Sequence, residues 1–175
     1  MMSLTFRRAE LADVAAVVAL VESTYRGEGS RSGWTTEADL LDGPRTDAEE
    51  VQSCIEAARS CLVLGLHGDA IVACANVRAE DDAGYFGMFS VVLSLQRAGV
   101  GKVVLAEAER IARDEWQLPT MRMTVIDVRD ELIAYYERRG YRRTGIKKPF
   151  PYGEERFGIP RRTDLRFEVL EKLLR

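Results

Sequence analysis

The sequence is short of histidine, of paired cysteine and of long apolar runs, and each shortage removes a class of function. Its one histidine, His67, sits beside Gly68 and Asp69 in a turn signal with no metal-ligand spacing around it. Neither a catalytic histidine nor a metal is expected. The three cysteines, Cys54, Cys61 and Cys74, are odd in number and include no C-x-x-C pair, so they read as small reduced residues of a cytoplasmic protein. Charges interrupt the stretch MMSLTFRRAELADV before an apolar segment can build, so neither a secretory leader nor a membrane span is expected. A net charge of −3 is spread along the chain and not gathered in blocks. That argues against nucleic acid or an anionic membrane as a partner.

What is present suits a folded domain. With 175 residues, 46% hydrophobic and 30% charged, the chain can bury a sizeable core, and residues 1–175 are expected to form a single domain. Leu4 and Phe6 alternate with polar neighbours as a first strand; Leu11, Val14, Val18 and Val21 then recur at helical spacing. From Tyr25 to Thr46 the pattern breaks into glycine, serine and charge around Trp34, with a helical hint over 36–41. Such excursions often serve function. Asp47, with Glu50 three residues on, marks the start of a helix over 47–60. The apolar runs 61–66 and 71–77 flank His67-Gly68-Asp69-Ala70 and predict a hairpin.

A third run, 85–93, leads into a glycine-bearing turn, after which Val100, Val104, Ala108 and Ile111 share one face of an amphipathic helix. Met121, Met123 and Val125 alternate as a strand. Residues 130–139 predict a helix ended by Gly140, followed by a strand from Tyr141 to Ile146 and a last one through Leu165, Phe167 and Val169. A hairpin-rich first half and a β-α-β-α-β second half predict a mixed sheet with helices on its faces, an α/β chain of the α+β type.

The turn itself reads Gln96-Arg97-Ala98-Gly99-Val100-Gly101-Lys102. Two glycines one residue apart let the backbone approach something bulky, and a helix starting there aims unpaired N–H groups outward. That suits a phosphate; a tight turn whose glycines only relieve strain would use the same residues. Two nucleotide signatures fail at fixed offsets. A P-loop needs glycine where Gln96 stands and Ser or Thr where Val103 stands, and a dinucleotide fingerprint needs glycine at Val104.

The pattern present is Q-x-x-G-x-G at Gln96, Gly99 and Gly101, after a strand carrying Phe89-Ser90-Val91. One strand later comes Arg129-Asp130-Glu131-Leu132-Ile133-Ala134-Tyr135-Tyr136-Glu137-Arg138-Arg139-Gly140-Tyr141. Together these blocks resemble the GNAT superfamily of acetyl-CoA-dependent N-acetyltransferases, over roughly residues 4–146. Two positions depart from its pattern: Leu93 stands where a proline is frequent, and Arg129 where the second block often has asparagine.

The resemblance implies the GNAT fold, a central mixed, mostly antiparallel twisted sheet of six to seven strands flanked by helices. It also implies acetyl-CoA as co-substrate, without a metal. The loop from Gln96 through Arg97, Ala98, Gly99, Val100, Gly101 and Lys102 would hold the pyrophosphate. Phe89, Ser90 and Val91 would lend backbone groups to the pantetheine arm, and one strand-end N–H would face the thioester oxygen. Arg129 joins the cofactor set by position, although its side chain differs from the family's usual one.

Tyr136 matches the tyrosine that protonates the departing thiolate. A thiol ionises near ~8.5 and a phenol near ~10, so the transfer is mildly uphill unless the site adjusts them. Tyr136 also shares a helix face with Leu132 and Ile133, as a core aromatic would, and Tyr135 is the second candidate acid. Glu28, Glu37 and Asp42 are candidates for the base, with Glu28 and Trp34 placed at the acceptor site by resemblance. Arg138, Arg139, Arg142 and Arg143 are either ligands of the CoA 3′-phosphate or solvated charges.

The implied reaction is direct transfer to a primary amine in a ternary complex, the acceptor being a small molecule or a peptide amine. A non-catalytic acyl-CoA-binding or sensing domain of the same fold is the alternative. Homodimers are common in the superfamily, but no interface is marked in the sequence.

Overall fold

The protein is described here from a computed structural model covering residues 3–26, 37, 38, 40–153 and 158–175. Strand β1 (Thr5–Arg8) leads to helix α1 (Val14–Tyr25), the short strand β2 (Leu41–Asp42) and helix α2 (Ala48–Glu56). Three strands follow: β3 (Ser60–His67), β4 (Ala70–Glu80) and β5 (Ala83–Val91). Helix α3 (Val100–Arg110), β6 (Thr120–Ile126), α4 (Asp130–Glu137), β7 (Arg142–Pro149), β8 (Ile159–Pro160) and β9 (Arg166–Leu173) complete the order.

Seven strands form one sheet in the order β1-β3-β4-β5-β6-β9-β7. Every pairing is antiparallel except that of β5 with β6. Alternation along β3 shows how the sheet organises two cores. Cys61 and Val63 join Val104, Ala108 and Ile133 of α3 and α4 on one face. Leu62 and Leu64 join Val17, Val21 and Val51 of α1 and α2 on the other. Successive strand side chains point to opposite faces, so an unbroken apolar run is what a strand covered on both sides requires.

Several local signals act as expected. Asp47 caps α2 by accepting from the Glu50 N–H at 2.8 Å. Gly68, at φ 62°, sits in the tight turn between the paired residues His67 and Ala70. Gly140, at φ 97°, follows α4 in the left-handed region. The helical hint over 36–41 lies partly outside the described residues; what is described there is a turn, with the Leu40 and Leu41 N–H groups both donating to the Glu37 carbonyl at 2.9 Å, after which Leu41 and Asp42 pair as a strand with Pro160 and Ile159. Leu41 is held there by burial with Ile126, Phe150 and Leu165, partners too distant in sequence for local pattern to reveal.

Candidate active site

On one edge β5 pairs with β4 as far as Val91, whereas on the other it pairs with β6 only at Gly84–Met121 and Tyr85–Arg122. Beyond those two pairs the strands part. The β4–β5 register shifts between Cys74 and Asn76, and Met88 adopts φ 53°, so a bulge bends β5 where the gap opens. The Tyr25 hydroxyl at the end of α1 donates to the Phe89 carbonyl and anchors the bent segment from outside. Phe89 lines both cavities that flank the gap, its ring lying toward Gly101.

The first cavity to consider, about 520 Å³, lies over the glycine turn. A short 3₁₀ turn (Leu93–Leu95) follows β5, and the Gln96 side-chain amide donates to the Val91 carbonyl at 3.1 Å, tying the loop back to the strand. Arg97 at φ 73° and Gly99 at φ 82° turn the chain sharply into α3. The N–H groups of Val100, Gly101 and Lys102 have no carbonyl partner among the described residues, as the first turn of a helix requires. Gly101 is a cradle: a Cβ there would lie 2.9 Å from both the Phe89 ring and the Tyr135 hydroxyl. Among the described residues Arg97, Lys102, Arg138 and Arg139 line this cavity against a single carboxylate, Glu131. The Arg139 guanidinium stacks 3.6 Å from the centre of the Tyr135 ring. Donors, cations and an open backbone fit a diphosphate.

The second cavity, about 580 Å³, lies on the far side of Phe89 and is bordered by α1, α2, the residues around β2, and α4. Tyr136 lines it, although the residue is only 4% exposed. Its ring meets those of Tyr135 and Tyr141 edge-on at 5.3 and 5.9 Å, and its hydroxyl makes no hydrogen bond among the described residues. Burial, with the neighbouring Tyr25 and Tyr135 adding to it, holds the Tyr136 phenol well above its ordinary range. The proton therefore stays on the oxygen at neutral pH.

Glu37 stands at the same cavity, 8% exposed. Its Oε1 accepts from Arg26 at 2.9 Å and its Oε2 lies 3.6 Å from Arg129, so two guanidiniums hold the carboxylate that sequence offered as a base. Arg129 itself lines this second cavity and not the glycine-turn cavity, because its side chain turns toward Glu37. Arg45 reaches in as well, its main chain held by Glu22 at 2.6 Å and its guanidinium 5.4 Å over the Tyr25 ring.

Other expected residues fall elsewhere. Phe89, Val91, Gln96, Arg97, Gly99, Gly101 and Lys102 come together at the turn, while the Val100 side chain packs into the core behind it. Ala98 is exposed beside them and Ser90 is buried outside both cavities. Asp42 is exposed and lies 3.6 Å from Arg161. Arg142 and Arg143 pair across β7–β9 with Glu171 and Glu168. Glu28 and Trp34 lie outside the described residues. Among the described residues no group of three or more His, Cys, Asp or Glu side chains could hold a metal, and no helix is long and apolar enough to cross a membrane. Tyr25 and Arg45 were not singled out from sequence; the only available signal was their place at the two ends of the long irregular segment.

No curated protein sequence is detectably similar to the chain. Solved structures share its fold at low identity. The ribosomal-protein-S18-alanine N-acetyltransferase from Escherichia coli superposes with TM-score 0.68 at 15% identity, covering 98% of this chain and 94% of that one. An acetyltransferase of the GNAT family from Streptococcus pneumoniae gives 0.68 at 19%, covering 98% and 99%. A spermidine N-acetyltransferase variant from Vibrio cholerae gives 0.70 at 11%, covering 98% and 94%. The sequence model of the Acetyltransferase (GNAT) family matches residues 19–141, from within α1 to the residue after the Gly140 cap, and by that match the chain belongs to this family.

Proposed function

We propose that the protein moves the acetyl group of acetyl-CoA directly to a primary amine held in the Tyr136 cavity, with Tyr136 as proton donor. The observation that carries the proposal is the shared Phe89 wall. A donor-rich cleft for a diphosphate and a cavity for a second reactant meet at one residue, where β5 is no longer paired with β6.

Acetyl-CoA, bound with its diphosphate on the α3 N-terminus, supplies an activated acetyl thioester. The chain's own residues do the rest. The amides of Val100, Gly101 and Lys102 hold the diphosphate, and Arg138 and Arg139 face the same cleft for further phosphate charge. Tyr136 holds its proton at Oη on the acceptor side, and the parted strands bring the two reactants to one gap. The acceptors named for two fold neighbours, a ribosomal-protein alanine and spermidine, are both amines, which supports an amine here. Tyr135, stacked under Arg139 and beside Gly101, is assigned to the cofactor side.

Calorimetric titration with acetyl-CoA, alongside a Gly99→Glu, Gly101→Glu double variant, tests the reading. Binding by the wild type that vanishes in the variant supports it, and release of CoA with an amine panel identifies the enzyme. Tight binding without release across the panel would favour a sensing domain, and no binding by folded wild type would defeat both.

A further inference from the structure

Among the described residues the charges around the second cavity are unequal: Arg26, Arg45, Arg78 and Arg129 line it against two carboxylates, Glu37 and Glu50. Glu37 is engaged by Arg26 and Arg129. Arg78 has its own acid outside the cavity, Glu80 at 3.0 Å.

Arg45 is the least engaged of the four. Its nearest carboxylate oxygen, on Glu50, is 3.7 Å away, and that same oxygen accepts from the Thr46 hydroxyl at 2.9 Å. Among the described residues the Arg45 guanidinium makes no hydrogen bond, although its side chain is only 26% exposed. A guanidinium has five N–H donors in a flat fork, and leaving them dry is costly. Their geometry matches a carboxylate, which can take two parallel bonds. A polycationic acceptor entering here would meet like charge instead.

We infer that the acceptor is a small amino-carboxylate, its carboxylate received by Arg45 while its amine lies toward Phe89 and Tyr136. The inference rests on the reading of this cavity as an amine site. The Arg45 guanidinium draws the carboxylate of such a molecule in, and the apolar walls from Met123 and Phe167 leave room for a side chain.

The test is equilibrium binding, so that it does not depend on turnover. L-amino acids and their carboxamides are titrated as matched pairs into the wild-type protein, alone and saturated with CoA, which cannot transfer. The expected result is that the acids that bind do so about tenfold or more tighter than their carboxamides. Arg45→Gln should bring that ratio toward one with acetyl-CoA affinity unchanged, and Arg45→Lys should restore part of it. Carboxamides or diamines binding as tightly as the acids, or no acid binding in either state, would overturn the inference. The wild-type ratio decides even if Arg45→Gln fails to fold. Failure of acetyl-CoA to bind would strike the transferase reading alone, since the acid-to-amide ratio is read without it.

Discussion

The Tyr25 hydroxyl, at the end of α1, donates to the carbonyl of Phe89, the one described residue that lines both cavities. A helix on one sheet face thus holds the bent strand segment at the centre of the site. Tyr25→Phe would leave that carbonyl without its donor and should cost about 1–2 kcal/mol in urea unfolding. Acetyl-CoA affinity should fall with it, because the strand end loses its anchor; unchanged affinity would separate the anchor from the site.

The same hydroxyl makes a pH prediction. Burial pushes the Tyr25 phenol up to about 12 from the ordinary 10.0. Between those values the unfolded chain has released a proton that the folded chain still holds, so folding is penalised as pH rises. The contribution should be fully present below about pH 10 and lost toward 12. Tyrosinate absorbance and unfolding midpoints followed together should show this loss in the wild type and a smaller one in Tyr25→Phe.

Gly101→Ala places a Cβ 2.9 Å from the Phe89 ring and the Tyr135 hydroxyl. Either ring must move, and overpacking of this kind costs about 1–3 kcal/mol. Acetyl-CoA binding measured by calorimetry should weaken more than in an Ala98→Gly control at the exposed loop position. Equal affinity in the two variants would mean that the close approach at Gly101 is not used by a ligand.

Tyr136→Phe should lower kcat by about 10²-fold or more, the range of a lost proton donor, with acetyl-CoA affinity unchanged. Because burial holds the phenol well above its ordinary range, the wild-type rate should show no alkaline decline from this group near neutrality. Full turnover in a folded Tyr136→Phe enzyme would return the residue to a packing role.

Glu37→Gln removes the carboxylate between Arg26 and Arg129, whose side chains are 5% and 8% exposed. Breaking a buried ion pair from one side leaves charge uncompensated, so a loss of about 3 kcal/mol is expected in urea unfolding. A loss near zero would mean that water reaches the arginines.

The glycine turn was legible in the sequence because everything it needs is local. Gln96, Gly99 and Gly101 form one bend, and the Val100, Val104, Ala108 face declares the helix that follows. Gly140 announced its left-handed cap for the same reason. The second cavity was not legible. Tyr25, Arg45, Tyr136 and Phe167 come from segments far apart in the chain and meet only through sheet order. Sequence also placed Arg129 by its position in a motif, and a motif position says nothing of where a long side chain turns. Glu37 is the clearest instance: as an isolated carboxylate it resembled a base, and only its two arginine neighbours show what occupies it.

The parting of β5 and β6 divides the sheet into a block formed by residues up to Val91 and a block formed by residues from Thr120 onward, with two residue pairs joining them. Each block supplies one wall of the gap. A fragment ending after α3 would carry the glycine turn without Tyr136, and one beginning at β6 would carry Tyr136 without the turn. Neither half encodes a site by itself. The gap is a seam between two sequence-local blocks that share one core, and any ligand spanning it acts as a clamp that rewards their correct alignment.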